Sequence, residues 1–152
     1  MVRDEQPVVI ERSTDNEFVD ALVQSAFGVI GVVGETAAKH GLSLTLFRVC
    51  AILRDRALTM SELADYLGLD RSTITGLVDR AAERGLLRRL ENERDKRSSR
   101  ATLTEMGHTT ARICAEEVAS NLAPLVVRLG PTERERLTGL LGKLVTIPPQ
   151  MS

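Results

Sequence analysis

Side chains able to hold a metal or attack a substrate are scarce in this chain. Its 152 residues include two cysteines and two histidines. Cys50 and Cys114 each lie in an apolar stretch, and His40 and His108 are isolated from each other. A metal site needs several convergent ligands, so none is expected. Two widely separated cysteines in so ordinary a composition do not form a disulfide framework. Cys50 reads as a small buried hydrophobe, without a neighbouring cation to favour its thiolate. No phosphate-binding Walker loop, dinucleotide fingerprint or nucleophile elbow is present. Neither an enzyme nor a cofactor is expected. No unbroken apolar run approaches the roughly 20 residues that span a bilayer, and Met1 to Pro7 lack the layout of a secretion signal. The expectation is a cytoplasmic protein with no membrane partner.

Surplus charge is missing too, and here the average misleads. The net charge is −1, which alone argues against a nucleic-acid partner. Yet residues 68–100 carry nine Lys/Arg against six acids, a local +3 that leaves −4 for the remainder. Phosphates respond to charge within a Debye length, so the segregation matters more than the total. Apolar residues at 43% and charged residues at 27% fit one globular domain with its own core.

Punctuation along the chain predicts six helices and a hairpin. Residues 1–13 have no period and read as a flexible arm. Thr14 and Glu17 have capping-box spacing, opening a helix to about Lys39 with Phe18, Leu22, Phe27, Ile30 and Val33 facing inward. Ser43 caps a second helix to about Arg54. A third runs from about Ser61 to Leu67, and a fourth from Arg71 to about Arg84, stopped by Gly85. Leu86 to Leu90 and Arg100 to Leu103 have strand character around a polar loop. Thr104 caps a fifth helix to about Leu129, and Pro131 opens a sixth with Thr132 and Glu135 spaced as another capping box.

The chemistry concentrates between residues 59 and 104. Two helices crossing steeply need a small residue at the crossing and a turn that allows positive φ, and Ala64 and Gly68 supply them. Ile74 plugs the pair. On the fourth helix Ile74, Leu77, Val78 and Ala81 share one face. The other face shows Ser72, Gly76 and Asp79, flanked by Thr73, Thr75 and Arg80. Short hydroxyls at a helix N-terminus suit phosphates and base edges. Gly76 either permits close approach to a base pair or is a tolerated surface glycine. In the loop, Arg94, Lys96 and Arg97 are placed to reach a backbone or a narrow minor groove, with Asp95 holding the loop's shape. A solvated charged turn is the alternative reading. Candidate DNA contacts are therefore Ser61, Arg71, Ser72, Thr73, Thr75, Gly76, Arg80, Arg94, Lys96 and Arg97.

These residues resemble the multiple-antibiotic-resistance regulator (MarR) family of bacterial transcription factors. Leu58-Thr59 with Glu62-Leu63-Ala64, Ser72 to Arg80, Gly85 to Arg89, Asp95-Lys96-Arg97-Ser98 and Leu103 to Gly107 carry the likeness, across roughly residues 16–146. It departs at Gly76, where many relatives have arginine, and at Ala101, where a larger aliphatic is usual. The resemblance implies a mainly α winged helix-turn-helix with a small β-hairpin wing, acting as a homodimeric repressor that a small molecule or oxidant releases from duplex DNA. It divides one domain at 14–147 into dimerisation helices (14–40 and 105–147) and a reading head (43–104). The family's effector pockets lie where these meet, which points to Phe27, Gly31, Gly34, Phe47 and Cys50.

Gly28, Gly31 and Gly34 together cost on the order of 2 to 3 kcal/mol of helix propensity. Either a close helix crossing or a ligand cavity would offset that. Two other functional readings stay open: a winged-helix protein-interaction module and a thiol-based redox sensor.

Overall fold

The computed structural model describes residues 14–91 and 99–145. Its order is α1 (Thr14–Lys39), α2 (Leu44–Ile52), a 3-10 turn (Leu53–Asp55), β1 (Leu58–Thr59), α3 (Met60–Leu67), α4 (Arg71–Glu83), β2 (Leu87–Leu90), β3 (Arg100–Leu103), α5 (Glu105–Val126) and α6 (Pro131–Leu144). The strands form one antiparallel sheet in the order β1-β3-β2. Six helices and the hairpin stand as the sequence predicts; β1 is an addition. Two residues show no readable period, and only pairing of Leu58 with Ala101 and Thr59 with Arg100 makes them a strand.

Thr59 ends β1 and caps α3. Its N–H donates to Glu62 Oε2 (2.7 Å), and the Glu62 N–H donates back to Thr59 Oγ1 (3.2 Å). The third helix thus starts at Met60, not Ser61. Ser43 and Thr104 cap α2 and α5 as expected, accepting from the N–H groups of Leu46 and Gly107. The sixth helix differs: Gly130 is its cap and donates its N–H to Glu133 Oε2 (2.7 Å). Proline at the first helical position moves the box two residues ahead of Thr132 and Glu135. Thr14 lies inside the first turn of α1 rather than before it.

Gly68 and Gly85 end α3 and α4 with φ of 64° and 75°, a region L side chains enter at a cost. Each lets the following amide turn back onto its helix: Leu69 N–H to Ala64 O and Leu86 N–H to Ala81 O. The α3–α4 crossing is therefore as tight as Ala64 and Ile74, both buried, allow.

One contiguous core joins the C-terminal end of α1 (Ala37), α2 (Leu46, Val49, Cys50), Leu53, α3 (Leu63), α4 (Ile74, Val78), the sheet (Leu87, Ala101, Leu103) and the start of α5 (Ala111, Cys114). It occupies one end of the protomer. Residues 16–31 of α1 are all exposed and α6 buries nothing. Phe18, Leu22, Phe27 and Ile30, expected to face inward, are exposed, Phe27 by 66%. Asn16–Lys39 is in fact long and apolar enough to cross a membrane by length and composition, because residues 21–34 carry no charge. Among the described residues no element covers this face.

The Glu62 carboxyl is held below its ordinary range, chiefly by the Thr59 N–H. A lowered folded pKa contributes stability that is complete at neutral pH and is lost as pH falls through that value. Glu62→Gln should therefore flatten the drop in urea midpoint between about pH 7 and about pH 3, relative to the parent chain. Thr59→Ala should cost about 1 kcal/mol at neutral pH in the same titration.

Candidate nucleic-acid interface

Burial of Ile74, Val78 and Ala81 against the core turns the other side of α4 outward. Arg71, Ser72, Thr73 and Arg80 are exposed there, while Thr75 and Gly76 are half-buried at its margin. Ser61, on the first turn of α3, is exposed as well. Six of these seven residues stand on one helix, with the hydroxyls at its positive end. A Cβ on Gly76 would meet only the guanidinium tip of Arg80, at 3.3 Å. The glycine is thus not demanded by any backbone contact within the protomer, and it leaves room for Arg80 to lie along the helix.

The cations of this region divide. Among the described residues Arg80 has no partner. Arg84 is occupied, donating from Nη2 to Gly41 O (2.8 Å) across the α1–α2 turn. Arg88 is exposed on the outer face of the sheet, whereas Arg89 faces α4 and pairs with Asp79 (2.7 Å). Strand alternation puts these two adjacent arginines on opposite faces. Arg94, Asp95, Lys96 and Arg97 lie outside the described residues.

Wing, recognition helix and α5 meet at Thr104. Its hydroxyl donates to Gly85 O (2.5 Å), its N–H donates to Leu86 O (3.1 Å), and Gly107 N–H donates to its Oγ1 (3.0 Å). A Cβ on Gly107 would overlap the Leu86 carbonyl oxygen. Those contacts explain physically why a Leu-Thr-x-x-Gly start suits this junction.

The five expected pocket positions scatter. Phe27 and Gly31 point to solvent, Gly34 and Phe47 are half-buried, and Cys50 is buried. A Cβ on Gly28, Gly31 or Gly34 would meet nothing within 4 Å, so no helix of the same protomer crosses closely there. Three clefts lined by described residues lie elsewhere; one of about 360 Å³ sits between Ser43 of the α2 cap and Arg80 and Arg84 of α4. His40, expected to be isolated, pairs with Glu117 of α5 (2.7 Å), as does Lys39 (3.3 Å). Asn121 Nδ2 donates to the buried Thr36 hydroxyl (3.1 Å), a second tie between α1 and α5.

A compact helix pair followed by a three-stranded wing, with a polar helix face turned outward, defines a winged helix-turn-helix protein. The chain belongs to the MarR family. Residues 40–98 match the family model described as "MarR family". The chain is 32% identical over 111 residues to the HTH-type transcriptional regulator PecS of Dickeya dadantii (strain 3937), covering 70% of this chain and 67% of that protein. It is 31% identical over 115 residues to the transcriptional repressor MprA of Escherichia coli (strain K12), covering 74% and 65%. The aligned stretch thus spans about two thirds of each relative. Among solved structures, CouR from Rhodococcus jostii RHA1 bound to p-coumaroyl-CoA superimposes with a TM-score of 0.73 at 22% identity, covering 93% of this chain and 99% of that one. The two curated relatives are regulators of transcription, not enzymes.

Burial, and then the nearby Cys114, push the Cys50 thiol up to about 11, outweighing the opposing effect of Arg84. Burial and then Glu117 also raise Cys114. Both thiols should stay protonated and unreactive. Native protein should resist iodoacetamide at both positions; rapid modification of Cys50 in the folded state would contradict this.

Proposed function

We propose that this chain is a homodimeric repressor that binds pseudo-palindromic duplex DNA and is released by a small molecule. One observation carries the reading: α4 buries its apolar face and presents Ser72, Thr73 and Arg80 outward, with Arg71 at its start. Such a helix fits the major groove, its small side chains reaching bases and its arginines the phosphates. Arg94, Lys96 and Arg97 at the tip of the hairpin would reach the neighbouring backbone or minor groove, with Asp95 shaping the loop. Ser61, Thr75 and Gly76 complete the contact surface. Duplex DNA as the target places the protein in the cytoplasm.

The homodimer is supported by what the protomer leaves uncovered. Leu137, Leu140, Leu141 and Leu144 of α6 are exposed, as are Phe18, Leu22, Phe27 and Ile30 of α1. A second copy is the economical cover for so much apolar surface, and a two-fold axis would set two α4 helices about 34 Å apart, one turn of duplex. A released state would follow if an effector altered that spacing. CouR is described bound to p-coumaroyl-CoA, and here the exposed ground at Phe27 and Gly31, with half-buried Gly34 and Phe47, would be closed into a pocket by the partner copy, while Cys50 is buried in the core. Redox sensing is disfavoured by the protonated, buried thiols. The protein-interaction alternative lacks the salt response that phosphate contacts impose.

Selection of bound genomic fragments tests the reading directly. Selected duplexes should bind with affinity that falls steeply as salt rises, and Arg80→Ala should lower that logarithmic slope by about one. Failure to enrich any fragment at low ionic strength would sink the proposal. Leu140→Glu should yield monomers in sedimentation and weaken operator binding at least tenfold, roughly the loss of one half-site.

A further inference from the structure

The geometry points to a strap, formed by Asp79, Arg89 and Ser99, that sets the angle between the wing and the recognition helix. Arg89 and Asp79 are positioning residues for duplex reading, not contacts to the duplex; this rests on the DNA-binding function proposed above. Arg89 Nη2 lies 2.7 Å from Asp79 Oδ1 on α4, and Arg89 Nη1 donates to Ser99 Oγ at 3.4 Å, just before β3. Ser99 is buried and the Arg89 side chain is 29% exposed. Its Nε is buried with no partner among the described residues. A phosphate contact needs an open fork, and this one is engaged on two sides.

The wing leaves α4 through the turn at Gly85. Backbone pairing of β1 with β3 and the Thr104 joint anchor the base of the hairpin. Asp79 lies before the Gly85 turn and Arg89 beyond it, so their ion pair adds a direct side-chain tie between α4 and β2. A planar guanidinium bonded to both α4 and the base of β3 also fixes its own orientation. Register makes room for it: Arg89 sits directly across from Ala101, fully buried, whose methyl leaves space on that face of the sheet. Helix in groove and wing on backbone can then be satisfied by the same pose of the head.

The test uses the purified full chain, one duplex recovered by fragment selection and one unrelated duplex of equal length. Asp79→Asn and Arg89→Gln should each lower the ratio of the two affinities about tenfold or more, with circular dichroism unchanged. The exchanged pair Asp79→Arg/Arg89→Asp should regain most of the ratio. Arg89→Lys keeps the charge but loses the fork, so it should lose selectivity as well; it also serves if a neutral variant does not fold. A ratio within about twofold of the parent in Asp79→Asn or Arg89→Lys overturns the strap. So does an equal loss on both duplexes in Arg89→Gln with the salt slope reduced by about one, since that is the behaviour of a phosphate contact. A parent chain that prefers no duplex overturns the DNA reading instead, and is recognised before any variant is made.

Discussion

Three parts of this protein meet at Thr104. Its backbone and side chain hold the end of the recognition helix at Gly85 and Leu86, while the same hydroxyl caps α5 through Gly107. Close approach is the condition: the Leu86 carbonyl comes so near α5 that only a hydrogen fits at position 107. Because interiors are densely packed and deform little, a shift of α5 cannot be absorbed at this contact and must be passed to α4 and the wing. In the regulator proposed above, a change in the long helices would reach the reading head through that joint.

Apolar burial is distributed unevenly around it. The reading head has a complete core in which Leu53, Leu63, Ile74 and Leu87 are fully enclosed. The outer parts of α1 and α6 have none, and hydrogen bonds such as Asn121 to Thr36, with the His40–Glu117 pair, tie α1 to α5 without covering either. Helices of this kind owe most of their stability to packing rather than propensity. Three glycines in α1 weaken its propensity further. A partner surface would therefore contribute to the energetics of the stalk, and the proposed dimer would stabilise it as well as space two heads.

Legibility in the sequence followed the range of the interaction. Ser43 and Thr104 were readable as caps because the amides they serve are three residues away. The Thr59–Glu62 box has the same spacing, yet it was missed, since Thr59 also belongs to a strand created by distant Arg100 and Ala101. Pro131 marked the start of α6 correctly, although the carboxylate that closes its first turn is Glu133 rather than Glu135. Cations were the least legible. Arg80, Arg84, Arg88 and Arg89 are alike in sequence, and their different fates depend on Gly41 and Asp79, partners that only the folded chain brings within reach.

From its residues alone this chain declared six helices, a hairpin and a helix with a polar outward face, because helical period, caps and glycine stops act over a few positions. Folding decided which arginines remain available, how the wing is braced, that two thiols far apart in sequence become buried neighbours, and that the long apolar helices find no cover among the described residues of one protomer. Those outcomes depend on long-range packing, in which each side chain's environment is supplied by residues whose identity its own neighbours do not reveal.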